Sequence, residues 1–167
     1  MRINKEQRVG VFVDVQNLYY SAKNLYKAKV NFAAILREAV KGRKLVRAIA
    51  YVIKANIKEE KNFHDALEGI GYEVRMKDLQ TFVGGAKKGD WDIGIAMDMI
   101  ELANKLDTMV LVSGDGDFVD LLQHLKRAMG CKVEVIAIGP SSSGKLRDEA
   151  DEFIDIDKSK SKFLIKY

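Results

Sequence analysis

Thr108 to Phe118, TMVLVSGDGDF, is the stretch on which the reading of this chain turns. An uncharged run, Thr108 to Val112, passes directly into Ser113-Gly114-Asp115-Gly116-Asp117. A short apolar run bounded by turn residues has the pattern of a parallel strand buried on both faces. In open α/β sheets, chemistry collects just beyond the carboxyl ends of such strands. Here that place holds two carboxylates, Asp115 and Asp117. Gly114 and Gly116 flank Asp115 and let the backbone turn.

The neighbouring segments alternate in type. Before the run, Asp92–Leu106 has helical spacing, with Ile93, Ala96, Met97, Ile100 and Leu106 apolar. After it come a helix from Phe118 to Met129, a strand at Lys132–Ile138, a turn at Gly139–Gly144, a short helix at Lys145–Ala150 and a last strand at Phe153–Ile156. In the first half, Val9–Val15 reads as a buried strand containing Asp14. Helices at Leu18–Lys27 and Asn31–Lys41 follow, then a strand at Leu45–Ile53 and a helix at Lys58–Ile70 closed by Gly71. Tyr72–Lys77 alternates apolar with charged residues, which suits a sheet edge. Leu79–Trp91 has no periodicity and reads as a mobile basic loop. Strand–helix–strand repetition is the signature of βαβ crossovers. The expected fold class is therefore α/β, with a central, mostly parallel sheet covered by helices on both faces. Residues 1–157 form one domain, and 158–167 a basic C-terminal tail expected to fray.

Composition narrows the chemistry. The 167 residues are 47% hydrophobic and 31% charged, enough for one well-filled core. One cysteine, Cys131, excludes an internal disulfide and a cysteine-based zinc site. With only His64 and His124, a histidine-rich metal site is also disfavoured, so any metal is expected on carboxylate oxygens. No apolar run approaches the roughly 18 residues needed to span a bilayer. The N-terminal MRINKEQR has no signal-type apolar segment. A cytoplasmic protein without a membrane partner is expected. The net charge of +4 and pI near 9.0 permit a polyanionic partner without requiring one.

The main signal is acidic. Asp14 ends the first strand, Asn17 follows it, Asp92 opens a helix, Asp98 interrupts the apolar run IGIAMDMIEL, and Asp115 and Asp117 follow the run at 110–113. Magnesium and manganese take hard oxygen ligands and need only a few carboxylates. Bland roles compete: Asp92, Asp117 and Asn17 are good helix N-caps, and Asp120 favours a helix N-terminus. Asp14 and Asp98 are harder to explain that way, because each sits in an apolar context.

Three strings together resemble a known family. VFVDVQNLY (Val11–Tyr19), KGDWDIGIAMDM (Lys88–Met99) and VLVSGDGDFVDLL (Val110–Leu122) are similar to the NYN domain, and more closely to its LabA-like branch, within the PIN-like nuclease superfamily. The motifs occur in the family's order. The resemblance implies a three-layer α/β/α Rossmann-like (PIN-like) fold with a central mostly parallel sheet, and metal-dependent endoribonuclease chemistry with RNA as partner and Mg2+ or Mn2+ as cofactor. It places catalytic roles on Asp14, Asn17, Asp92, Asp115 and Asp117, and metal ligation on Asp14, Asp92, Asp98, Asp115 and Asp117. One residue more than the family's Lys-Gly-x-Asp spacing separates Gly89 from Asp92. Both Asp90 and Asp92 are thus candidates, with Asp92 favoured by its six-residue separation from Asp98.

The expected reaction is phosphodiester hydrolysis by a metal-activated water. Ser113, Lys87 and Lys88 are the candidate substrate contacts, and Trp91, Phe82 and Tyr19 are aromatic residues able to stack on bases. Phe163, Leu164 and Ile165 in the tail are a candidate contact for a homodimer. The competing readings are a non-catalytic RNA-binding or regulatory module with the same fold, and a haloacid-dehalogenase-type phosphatase. The latter lacks its second aspartate, since Val15-Gln16 follows Asp14. A P-loop enzyme is excluded, because GPSSSGK (Gly139–Lys145) lacks the motif's final Ser/Thr.

Overall fold

The computed structural model describes residues 3–54, 60–78, 80–81, 87–88 and 90–166; for Glu60, Gln80, Thr81, Lys87 and Lys88 it describes the backbone alone. The chain runs β1 (Arg8–Asp14), α1 (Val15–Tyr26), β2 (Ala28–Val30), α2 (Phe32–Val40), β3 (Lys44–Lys54), α3 (Glu60–Ile70) and β4 (Glu73–Asp78). It continues through β5 (Gln80–Thr81), β6 (Lys87–Lys88), α4 (Asp92–Leu102), β7 (Thr108–Val112), α5 (Val119–Arg127) and β8 (Lys132–Ala137). α6 (Gly144–Glu149), β9 (Glu152–Asp155), α7 (Lys160–Phe163) and β10 (Leu164–Lys166) complete it.

Six strands form one sheet in the order β4-β3-β1-β7-β8-β9, and every neighbouring pair is parallel. The order explains where a site belongs. From β1 the chain builds outward through β3 and β4, then returns to the other side of β1 to add β7, β8 and β9. The reversal lies between β1 and β7, and the crevice beyond their carboxyl ends is the switch point at which such sheets bind ligands.

Strand alternation divides the core into two layers. Val9, Val11 and Val13 of β1 pack with Leu18, Ile35 and Leu67 from α1, α2 and α3. Phe12 faces the other way, with Ile95, Met99 and Leu122 from α4 and α5. The sheet is thereby covered on both faces, as the three-layer reading expects. β4 lies at the edge, where its alternating sequence placed it. Among the described residues no helix is long and apolar enough to cross a membrane.

Several boundaries differ from expectation. α1 starts at Val15 rather than Leu18, because the Asp14 side chain accepts from the Asn17 N–H and caps the helix there. The helix expected from Phe118 begins as a 3-10 turn, Gly116–Phe118, and becomes α-helical at Val119. The segment read as a mobile basic loop contains an antiparallel ladder pairing Gln80 with Lys88 and Thr81 with Lys87. Leu79, residues 82–86 and Gly89 lie outside the described residues, and so does the start of the helix expected from Lys58.

As far as Lys166, the last described residue, the tail does not fray. A 3-10 turn at Ile156–Ser159 leads into α7, and β10 pairs antiparallel with β2, Leu164 opposite Val30. Phe163, one of the tail residues named as a candidate contact for a second copy, is buried against its own chain at 2% exposure. Its carbonyl accepts from the Asn31 N–H at 2.7 Å. Burial of this phenylalanine contributes about 2 kcal/mol toward holding the segment, beside its pairing with β2.

Candidate functional site

Strand parity brings the carboxylates together. Asp14, at an even position of β1, points to the same face as Phe12, the face covered by α4 and α5. α4 opens on that face with Asp92, and the turn after β7 supplies Asp115. One carboxylate oxygen from each of Asp14, Asp92 and Asp115 lies within 4.8 Å of the others.

Local bonds fix each of them. The Ser113 hydroxyl donates to Asp14 Oδ2 at 3.0 Å and accepts from the Asp115 N–H at 3.2 Å. Asn17 Oδ1 accepts from the Gly114 N–H at 3.0 Å, which ties α1 to the turn after β7. Asp115 Oδ1 accepts from the Asp117 N–H at 2.9 Å. The turn also packs tightly on Gly139–Gly144: a Cβ on Gly114 would sit 2.5 Å from Ser142 Oγ, and one on Gly116 2.9 Å from Ser143 Oγ. The sequence showed two glycines flanking an aspartate, but not the serine loop that makes them necessary.

Asp92 depends on Trp91. The indole donates to the Val52 carbonyl at 3.0 Å and its ring lies 5.4 Å from that of Tyr51. A Cβ on Gly94 would sit 2.5 Å from this ring, so only glycine lets the first turn of α4 close over it. Arg75 and Lys77 cover the indole, their charged groups 5.2 Å and 4.7 Å from the ring centroid. Trp91 therefore anchors α4 and is not laid open for stacking on a base. Phe82 lies outside the described residues.

The electrostatics call for a cation. Burial pushes the Asp14 carboxyl up to about 6, against the Ser113 and Asn17 hydrogen bonds and with help from Asp115 and Asp90. Burial and the neighbouring Asp115, Asp14 and Asp90 push Asp92 up to about 7. Asp115 thus raises the proton affinity of both Asp14 and Asp92, and Asp14 that of Asp92; a divalent ion would relieve that repulsion. Three clustered carboxylate oxygens, with no soft ligand among them, are the donor set of a hard ion such as magnesium or manganese. The residues present fit the expected cofactor.

The other expected residues fall elsewhere. Of the two alternatives, Asp92 joins the cluster, while Asp90 Oδ1 accepts from the Asp92 N–H at 3.2 Å. Asp98 is not brought into it: its carboxylate accepts from the Tyr51 hydroxyl at 2.7 Å and from Arg75. Asp117 is exposed beside the cluster and is not among the three. Ser113, expected to contact substrate, is fully buried and orients Asp14 and the turn instead. Lys87 and Lys88 lie on β6, their side chains outside the described part. Sequence reasoning missed the support from Tyr51, Arg75 and Trp91. The spacing Arg75-Met76-Lys77 on an edge strand was its only visible trace.

Comparison with known proteins agrees with this geometry. The chain is 29% identical to the low amplitude and bright protein LabA of Synechococcus elongatus, over 94% of this chain and 88% of that protein. A crystal structure of a protein of unknown function from Vibrio parahaemolyticus superposes with a TM-score of 0.89 at 36% identity, covering 99% of this chain and 100% of that one. The NYN domain model matches residues 8–157. That span runs from the first residue of β1 past β9 and contains every carboxylate of the cluster, and the chain belongs to the NYN domain family.

Proposed function

We propose that the chain is a metal-dependent endoribonuclease that hydrolyses RNA phosphodiester bonds. The observation that carries this reading is the convergence of Asp14, Asp92 and Asp115 at the sheet's switch point. Membership of the NYN domain family, within the PIN-like nuclease superfamily, supports it.

Asp14, Asp92 and Asp115 would hold one magnesium or manganese ion, or two. When bound, the ion supplies Lewis acidity, lowering the pKa of the attacking water and taking up charge on the leaving oxygen. The chain's own residues do the positioning. Ser113 aims Asp14, and Asn17 locks the Gly114 turn through its Oδ1 while its amide nitrogen is left to donate to a phosphate oxygen. Asp117 adds an exposed carboxylate at the rim. Asp98 supports the site through Tyr51 and Arg75 rather than as a ligand. Lys87 and Lys88, whose backbone forms the ladder ahead of α4, would contact the RNA backbone.

The test is cleavage of a mixed pool of end-labelled RNAs with magnesium or manganese, beside an Asp14→Asn, Asp115→Asn double variant. Metal-dependent cleavage that disappears in the variant is expected. RNA binding without cleavage, unaffected by either metal, would instead favour a binding or regulatory module.

A further inference from the structure

We infer that the outer face of α1 is a track for single-stranded RNA, leading from the carboxylate cluster along Gln16, Tyr19, Tyr20, Lys23, Asn24 and Lys27. This inference rests on the RNA reading above and adds the path and the strandedness of the substrate.

The geometry starts at Asp14. That residue caps α1 and belongs to the cluster, so the helix leaves the site directly. Val15, Leu18 and Ala22 face the core. The opposite stripe, at helical spacing, is half-buried at Gln16 and exposed at Tyr19, Tyr20, Lys23 and Asn24, with Lys27 exposed at the C-cap. From Gln16 to Lys27 it runs roughly 16 Å.

Three features of the stripe fit a polyanion with flat bases. First, α1 contains no acidic residue, although the chain has 24 and a helix N-terminus favours them. An acid-free face beside an acidic cluster keeps repulsion of RNA to the place where an ion offsets it. Second, Tyr19 and Tyr20 are 43% and 51% exposed. Their ring centroids lie 5.3 Å apart at 80°, so the rings meet edge to face and are not stacked on each other. The Lys23 ammonium lies 5.8 Å from the Tyr19 centroid, and a base stacking there would displace this long, exposed side chain toward the strand's phosphate. Exposed aromatic rings are stacking platforms for unpaired bases of any sequence. Third, Lys23 and Lys27 follow on the same stripe, where phosphates of a strand bound by those rings would pass. A duplex keeps its bases stacked within itself and gains nothing from the tyrosines.

Fluorescence anisotropy with a labelled single-stranded RNA of about 12 nucleotides, and with its duplex, tests this in EDTA and again with calcium. A Tyr19→Ala, Tyr20→Ala variant should lose roughly thirtyfold or more in affinity for the single strand. Tyr19→Phe, Tyr20→Phe should keep it, because the ring faces remain. Lys23→Gln, Lys27→Gln should flatten the slope of log Kd against log salt by about 0.7 per lysine. A manganese-induced rise in Tm equal to that of the parent protein shows that each variant still folds around its site. Equal binding of single strand by the parent and the alanine variant overturns the track and leaves the RNA reading standing. Equal binding of duplex and single strand by the parent also overturns it. If the parent binds no RNA in either condition, the track and the RNA reading fall together.

Discussion

Asp14 and Asp92 hold protons more tightly in the fold than in the unfolded chain, where an aspartate titrates near 3.8. The stability this contributes is present below that value and is lost as pH rises through about 6 for Asp14 and about 7 for Asp92. In EDTA, the site should therefore favour a higher Tm at pH 5 than at pH 7.5. Manganese should do the reverse, raising Tm more at pH 7.5, because ligands must give up their protons to bind it. Differential scanning fluorimetry in the two buffers reads both effects, and an equal manganese shift at both pH values would contradict the assignment. Asp98 should behave differently. Asp98→Asn removes the charge facing Arg75 and should cost about 1 kcal/mol in urea unfolding, while the manganese shift survives. The sequence made Asp98 and Asp92 look alike, as aspartates on one helix. What separates them is the partner across the sheet: Tyr51 and Arg75 come from β3 and β4, and no local pattern reports that they meet Asp98.

Long periodic elements were legible and short ones were not. β1, β7 and β8 showed themselves as apolar runs because both faces of each are buried, and β3 did so through its buried residues 48–52. β2 and β10 have three residues each, too few for any period, and their pairing joins distant parts of the chain. The lysines of the last segment suggested a solvated end; the apolar Phe163-Leu164-Ile165 triplet among them was the available signal. Phe163→Ala should lower the free energy of urea unfolding by about 3 kcal/mol, with Tm falling in step. A loss below about 0.5 kcal/mol would mean that the segment is peripheral to the fold. The start of α1 misled for a related reason: Val15 is β-branched and continues the strand pattern, and only the side-chain cap from Asp14 turns the chain into a helix.

The molecule carries a polar cluster at each end of its sheet. Opposite the carboxylates, Arg43 and Glu134 form a buried pair at 2.8 Å. Arg43 also donates to Gln7, and the Thr108 hydroxyl donates to the same Gln7 oxygen. Burial alone would raise the Glu134 carboxyl, but the Arg43 guanidinium, joined by Lys41 and Lys132, outweighs it and holds the group below the usual carboxylate range. Its stabilising contribution is present above the unfolded pKa and lost as pH falls through the lower folded one. The two ends thus answer acid in opposite directions. Glu134→Ala leaves Arg43 buried without its partner and should cost about 3–5 kcal/mol. The manganese response at the far end should persist, because none of the residues in this network touches the carboxylate cluster.

The hydrogen bonds around the cluster also make the site spectroscopically audible. The amides of Asn17, Gly114, Asp115 and Asp117 end on Asp14, Asn17, Ser113 and Asp115, respectively. Any occupant that draws on those side chains redistributes electron density at four backbone nitrogens, on two elements far apart in the chain. In a nitrogen–proton correlation spectrum, these four resonances should move together on titration with magnesium, while that of Val133, bonded to Asp151, stays in place. Occupancy then becomes readable one atom at a time, with no substrate in the tube.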